Sequence, residues 1–179
     1  MAEIAGLTLI TPSSVAGSGV SLSGAKVVFT AATTININGV FSATHDNYLV
    51  VVRGSIATSG GGILHRWRVS GSDATGANYA QQYLEAEGTN VTASRQTGAT
   101  SSPWSSFNNN LPQGFHTYLY GPALAQPTAY RSVSVQSYNG AAITEYAGTH
   151  SLSTAYDGFT LYPSANNITG ALTIYGLSQ

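Results

Sequence analysis

The stretch "NYLVVVRGSIA", residues 47–57, decides how this chain is read. Leu49 and Val51 fall on one side of an extended backbone, and Tyr48, Val50 and Val52 fall on the other. A strand that is apolar on both faces fits the centre of a sheet covered on both sides. Residues 47–57 are therefore expected in the middle of the core.

Period-two alternation continues on either side of this stretch. In "GILHRWRVS", residues 62–70, Ile63, His65, Trp67 and Val69 share one face, and Leu64, Arg66 and Arg68 share the other. In "TAYRSVSVQSY", residues 128–138, Ala129, Val133 and Val135 oppose Tyr130, Ser132, Ser134 and Gln136. Both read as half-buried antiparallel strands. "SDATGANYAQQYLEAEG", residues 72–88, contains helix formers, yet Tyr79 and Tyr83 fit the same alternation and it also reads as a strand. Were residues 62–87 a hairpin, Arg66 and Arg68 would face Glu85 and Tyr83 in a structural ladder worth roughly 0.2–1 kcal/mol per pair.

Turn residues punctuate these runs at Gly24, Asn38-Gly39, Gly60 to Gly62, Gly71, Gly88, Gly121-Pro122, Asn139-Gly140 and Gly158. Residues 98–114, "GATSSPWSSFNNNLPQG", read as a long ordered loop. Roughly ten strands in one domain follow, packed as two antiparallel sheets. The expected fold is an all-β antiparallel sandwich, jelly-roll-like, over residues 25–179. Residues 1–24 are expected as a first strand or as an arm toward a neighbouring subunit, with "SSVAGSGV" as a flexible joint.

Composition narrows the function. Charged residues make up 7% of the chain, against roughly 25% in an average soluble domain. Six Lys and Arg residues, unclustered, argue against a nucleic-acid partner. With no cysteine there is neither a disulfide framework nor a thiolate metal site. The amino-terminal stretch carries Glu3 where a secretion signal is basic, and no apolar run is long enough for membrane insertion.

Chemistry is hard to place. A glycosidase or depolymerase needs two carboxylates across one cleft, and no spacing pairs any of the seven acidic residues. Asp46 and Asp157 each precede a strand, where turn capping accounts for them. His45, His65, His116 and His150 form no ligand pattern, and no nucleophile elbow or phosphate loop is present. No catalytic, cofactor or metal residue is assigned. Eleven Tyr, five Phe and two Trp remain, suited to protein contacts or to stacking on sugar rings. Trp104 and Phe107, in the long loop, are the candidates for a surface or ligand contact.

Three stretches carry a resemblance: "FSATHDNYLVVVRG", "LYGPALAQPTAYRSV" and "HSLSTAYDGFTLYPSANNITGALTIYG". Phe41, Asp46, Asn47 and Tyr48 stand in the first, with His45 where an aromatic is more usual. Pro122, Ala125, Gln126 and Pro127 stand in the second. Asp157, Gly158, Phe159, Ile168, Thr169, Gly170, Tyr175 and Gly176 stand in the third. Together they resemble a family of tailed-bacteriophage virion surface proteins, over residues 25 to 177. The resemblance implies a non-enzymatic, jelly-roll-like domain in minor tail proteins, tail fibres or head decorations, often trimeric. Its partners would be other virion proteins, and its location the virion, after assembly in the host cytoplasm. Alongside this stands a carbohydrate-binding module gripping a host surface glycan.

The third stretch reads further as a closing hairpin. Asn166 and Asn167 suit a left-handed reversal, and Gly170 suits a bend or a close backbone approach.

Overall fold

The structure, a computed structural model of the chain, describes residues 6–57, 60–107, 111–136 and 142–178. Among them there is no helix and there are sixteen strands. The first eight are β1 (Leu7–Ile10), β2 (Ser14–Ala16), β3 (Val20–Ser23), β4 (Lys26–Ala32), β5 (Ile35–Asn38), β6 (Asn47–Ile56), β7 (Gly61–Val69) and β8 (Ser72–Asp73). The remainder are β9 (Tyr79–Glu87), β10 (Asn90–Ala99), β11 (Ser102–Phe107), β12 (Gln113–Tyr120), β13 (Thr128–Gln136), β14 (Ala142–His150), β15 (Gly158–Pro163) and β16 (Ile168–Leu177). The expected turn at Asn139-Gly140 lies outside the described residues.

Every strand pairing is antiparallel. The larger sheet has ten strands in the order β10-β9-β14-β13-β12-β6-β16-β4-β3, with β1 also on β16. The smaller has six in the order β11-β7-β15-β5-β2, with β8 on β7. Between β4 and β7 the chain changes sheet at every connection, and the result is the expected jelly-roll-like sandwich.

β6 runs through the middle of the larger sheet, between β12 and β16. Tyr48, Val50, Val52 and Ile56 point inward and are buried. On the other face Val51 is 40% exposed. The expectation of cover on both sides is corrected there, because the single chain supplies one covering sheet and β6 carries apolar residues for two.

Between the sheets lies a slab of rings. His65 stacks on Trp104 with ring centroids 4.6 Å apart and meets Trp67 edge-on at 5.0 Å. Trp67 stacks on Tyr156 at 5.8 Å, and Phe41 on Phe159 at 5.9 Å. His65 donates from Nδ1 to the Ser102 carbonyl at 2.8 Å. Burial pushes its pKa down to about 3 against the pull of that carbonyl, with nearby His150 adding to the depression.

The terminal stretch is not a hairpin. β15 pairs with β5 and β7 in the smaller sheet, whereas β16 pairs with β6, β4 and β1 in the larger. The segment is an arch between sheets, which lets Phe159 and Leu161 meet the core from one side and Leu172 and Ile174 from the other. Asn166 takes the left-handed backbone, at φ 62°. Gly170 faces Gly54 across the ladder, and a Cβ there would lie 2.2 Å from the Arg53 carbonyl oxygen.

Residues 62–87 are likewise no hairpin, since β7 and β9 belong to different sheets. Arg66 bonds the Thr100 carbonyl at 3.1 Å and lies over the Tyr162 ring at 5.1 Å. Arg68 is buried, bonded to Asp73, Asn38, Asn36, Thr160 and the Gly71 carbonyl. Residues 6–24 supply three short edge strands, β1 to β3, rather than a free arm. The expected joint in "SSVAGSGV" is a fitted turn: Gly17 and Gly19 pack so closely that a Cβ on either would lie 2.1 Å from a carbonyl oxygen.

Two outcomes follow for stability. Gly170→Ala forces backbone apart and should cost roughly 1–3 kcal/mol in a urea melt. His65 stays neutral in the fold while the unfolded chain protonates it below about pH 6.5, so stability falls as pH drops from there toward about 3. At pH 5 this one group should remove roughly 2 kcal/mol relative to pH 7, a difference absent from His65→Phe in paired denaturation curves.

Candidate functional site

Neither aromatic expected to make a surface contact is at the surface. Trp104 and Phe107 are both 0% exposed, on β11. The register between β11 and β7 shifts between Pro103 and Ser105, so Trp104 is the extra residue of a bulge, and its ring packs on His65 and Phe159. Phe107 packs edge-on against Phe115 at 5.8 Å. Burial removes both residues as contact candidates: they hold the edge of the smaller sheet on the core.

The three motif stretches, distant in sequence, meet at one place. Gly121 donates its backbone N–H to Asp46 O at 2.9 Å, Tyr156 to Pro122 O at 2.8 Å, and Val40 and Phe41 to Asp157 O. The Asp157 carboxylate accepts from Ser70 N at 2.8 Å, so it caps the β7–β8 turn, far away in sequence, rather than the amides near it that were expected. His45 is nearly buried with Nδ1 3.2 Å from Leu177 O, and its ring lies where a Cβ on Gly176 would stand. This junction joins the sheets through backbone hydrogen bonds, so the motif residues act as scaffold.

Two surfaces remain. The first is the outer face of the larger sheet. In β13 the valines point outward and the polar residues inward: Val135 is 55% exposed, whereas Ser132, Ser134 and Gln136 are buried. Those inward groups are satisfied by their neighbours. Thr117 donates to Ser132 Oγ at 2.8 Å, Ser134 to the Thr144 carbonyl at 3.3 Å, and Gln136 to the Glu85 carboxylate at 3.1 Å. Cross-strand register then builds apolar rows on the outside. One runs Val91, Ala86, Ile143, Val135 and Gly114, and the next Leu84, Glu145, Val133, His116 and Val51. Glu145 is paired with Arg131 at 2.6 Å. Beside these rows, around Gly54 and Gly170, the face sinks into a hollow of about 450 Å³ near Arg53 and Lys26.

The second surface is a cleft of about 660 Å³, where the β9–β10 hairpin reaches past β11. Tyr83 and Tyr146 form part of its lining, their rings stacked with centroids 5.6 Å apart. Burial, with Glu85 nearby, pushes the Tyr146 hydroxyl up to about 12, so it is a neutral donor at any physiological pH. Ser102 Oγ donates to Gln81 Oε1 at 2.8 Å, and Gln81 Nε2 donates to Gln96 Oε1 at 3.0 Å. No group of three His, Cys, Asp or Glu side chains among the described residues could hold a metal. The sequence signal for the first surface was present in the doubly apolar β6. For the second there was none, because Gln81, Tyr83 and Gln96 gain meaning only from the missing cover.

No family model matches the chain. No curated protein matches it either. Among solved structures it is similar to a protein of unknown function, SO2946 from Shewanella oneidensis MR-1, at 7% identity over 96% of this chain and 79% of that one, with a TM-score of 0.31. It is also similar to the Ca2+/Man-bound exoplasmic/lumenal domain of VIP36, at 8% identity over 92% of this chain and 82% of that one, with a TM-score of 0.36. Likeness this slight bears on neither ligand nor assembly.

Trp104→Ala should therefore cost stability, roughly 3–5 kcal/mol in a denaturant melt, as for a large aromatic removed from a core. Ser94→Ala, on the exposed β10, should leave the same curve within about 0.5 kcal/mol.

Proposed function

We propose that this chain is a non-enzymatic structural subunit of a tailed-bacteriophage particle, a minor tail or host-facing surface protein that assembles as a homotrimer. The observation that carries this reading is the outer face of the larger sheet, where β6, apolar on both faces, presents Val51 to water and β13 presents Val135. A monomer that exposes Val51, Leu84, Val135 and Ile143 on one continuous sheet has an apolar patch of the kind that marks an interface.

Size supports copies of the same chain as the occupants. Strands about 4.8 Å apart, seven of them from β10 to β16 with some seven residues each, offer roughly 800 Å², the share each partner gives to a standard interface. Charge is nearly absent from these rows, and Glu145 is already matched within the chain by Arg131. A chain with a net charge of −1 and 7% charged residues gains solubility by closing such a face against copies of itself. The phage setting rests on the motif resemblance. A capsid decoration protein would use the same face, and the position of antibody label on the particle separates the two.

Native mass spectrometry and light scattering of the purified protein should give a trimer. The double variant Val51→Lys, Val133→Lys, which leaves the core untouched, should give a folded monomer with an unchanged far-ultraviolet spectrum. A wild-type protein that is monomeric at micromolar concentration, or its absence from purified particles by mass spectrometry, would overturn the reading.

A further inference from the structure

We infer that the cleft between the β9–β10 hairpin and β11 is a binding site for a neutral oligosaccharide. Its volume, about 660 Å³, falls within the roughly 300–1,000 Å³ of small-molecule sites. Among the described residues that line it Arg95 is the only charged one, so neither an anionic nor a cationic ligand finds a matching cluster. The lining instead combines two tyrosines with carboxamides and hydroxyls, and Leu64 and Pro103 add apolar surface.

The aromatic face is Tyr83. It is half-buried, and Tyr146, stacked on it at 5.6 Å, fixes the ring in place from the β14 side. A fixed aromatic ring offers the flat apolar contact that the C–H side of a sugar ring needs. The register then sets polar groups around it. Ser94 lies directly across from Tyr83, and Gln96 across from Gln81.

Sugar hydroxyls both donate and accept, and a carboxamide does the same from its two ends. The hydrogen-bond chain Ser102 to Gln81 to Gln96 orients these amides. It uses the Gln96 oxygen and leaves its amide nitrogen without a partner among the described residues, a donor held at the cleft. Ser106 and Ser164 add hydroxyls from the opposite wall. A site satisfied in this way selects a ligand with many hydroxyls and no charge.

The site is independent of the assembly face. Tyr83 and Gln81 point to the inner side of β9, whereas Leu84 and Ala86 point to the outer side. Binding and trimer formation can therefore fail separately.

The probes are cello-, xylo-, chito- and maltohexaose and a soluble neutral cell-wall polysaccharide, titrated by calorimetry into the full chain. The wild type should bind at least one of them in the micromolar to millimolar range. Tyr83→Ala should weaken that binding by about tenfold. Ser94→Trp, which fills the cleft from an exposed edge strand and spares the core, should abolish it. The monomeric Val51→Lys, Val133→Lys protein should bind as the wild type does. No binding of any probe by the wild type, or undiminished binding by a folded Ser94→Trp variant, would overturn the proposal.

Discussion

One uncharged imidazole sits where the two sheets of this molecule are fastened together. His65 donates to the Ser102 carbonyl, which ties β11 to β7, and its ring carries Trp104 on one side while Trp67, Tyr79 and Tyr130 meet it edge-on. Protonating that ring would place a charge in the driest part of the sandwich, where no carboxylate among the described residues pairs with it. The geometry of β11 depends on the same contact. With Trp104 turned inward by the bulge, β11 sits flat on the core as the last strand of the smaller sheet. Two strands of the larger sheet, β9 and β10, continue past it, and the overhang creates the cleft.

The alternation of side chains revealed strands, two sheets and the interior place of β6, because period two is a local property of the chain. What stayed hidden depends on pairing. The terminal stretch has the look of a hairpin, yet its two strands lie in different sheets. A short connection between apolar strands permits either arrangement, and the choice is made by β5 and β7, which take both edges of β15, and by β4 and β6, which take those of β16. Trp104 was misplaced for a related reason. Serines and asparagines around it look like solvent-facing loop, and the single-residue bulge that turns its ring inward leaves no trace in composition. His65 was legible, since an inward histidine beside a tryptophan is defined by near neighbours, whereas the partner of the Asp157 carboxylate, the Ser70 amide, comes from a distant turn.

The two surfaces that carry the functional reading use opposite sides of the same strands. β9 and β14 present Leu84, Ala86 and Ile143 outward, and Tyr83 and Tyr146 toward the cleft. On the proposed functional reading, a sheet one residue thick would serve a partner on one side and a ligand on the other without either obstructing its neighbour. Such an arrangement needs no charged residues. It accords with a chain in which hydroxyls and carboxamides, rather than ions, do most of the polar bonding.

The inward serines of β13 have one more consequence, for folding rather than for the finished molecule. A one-residue slip of this strand would bury Val133 and Val135 and expose Ser132 and Ser134, and water exclusion alone favours the slipped form. The correct register is held by directional bonds to Thr117, Thr144 and Glu85, which exist only once strands on both sides are in place. A partner subunit lying on the valines would remove the reward for slipping. The subunit contact would then act as a proofreader of strand register, discarding misaligned chains because they offer it serine where it needs valine.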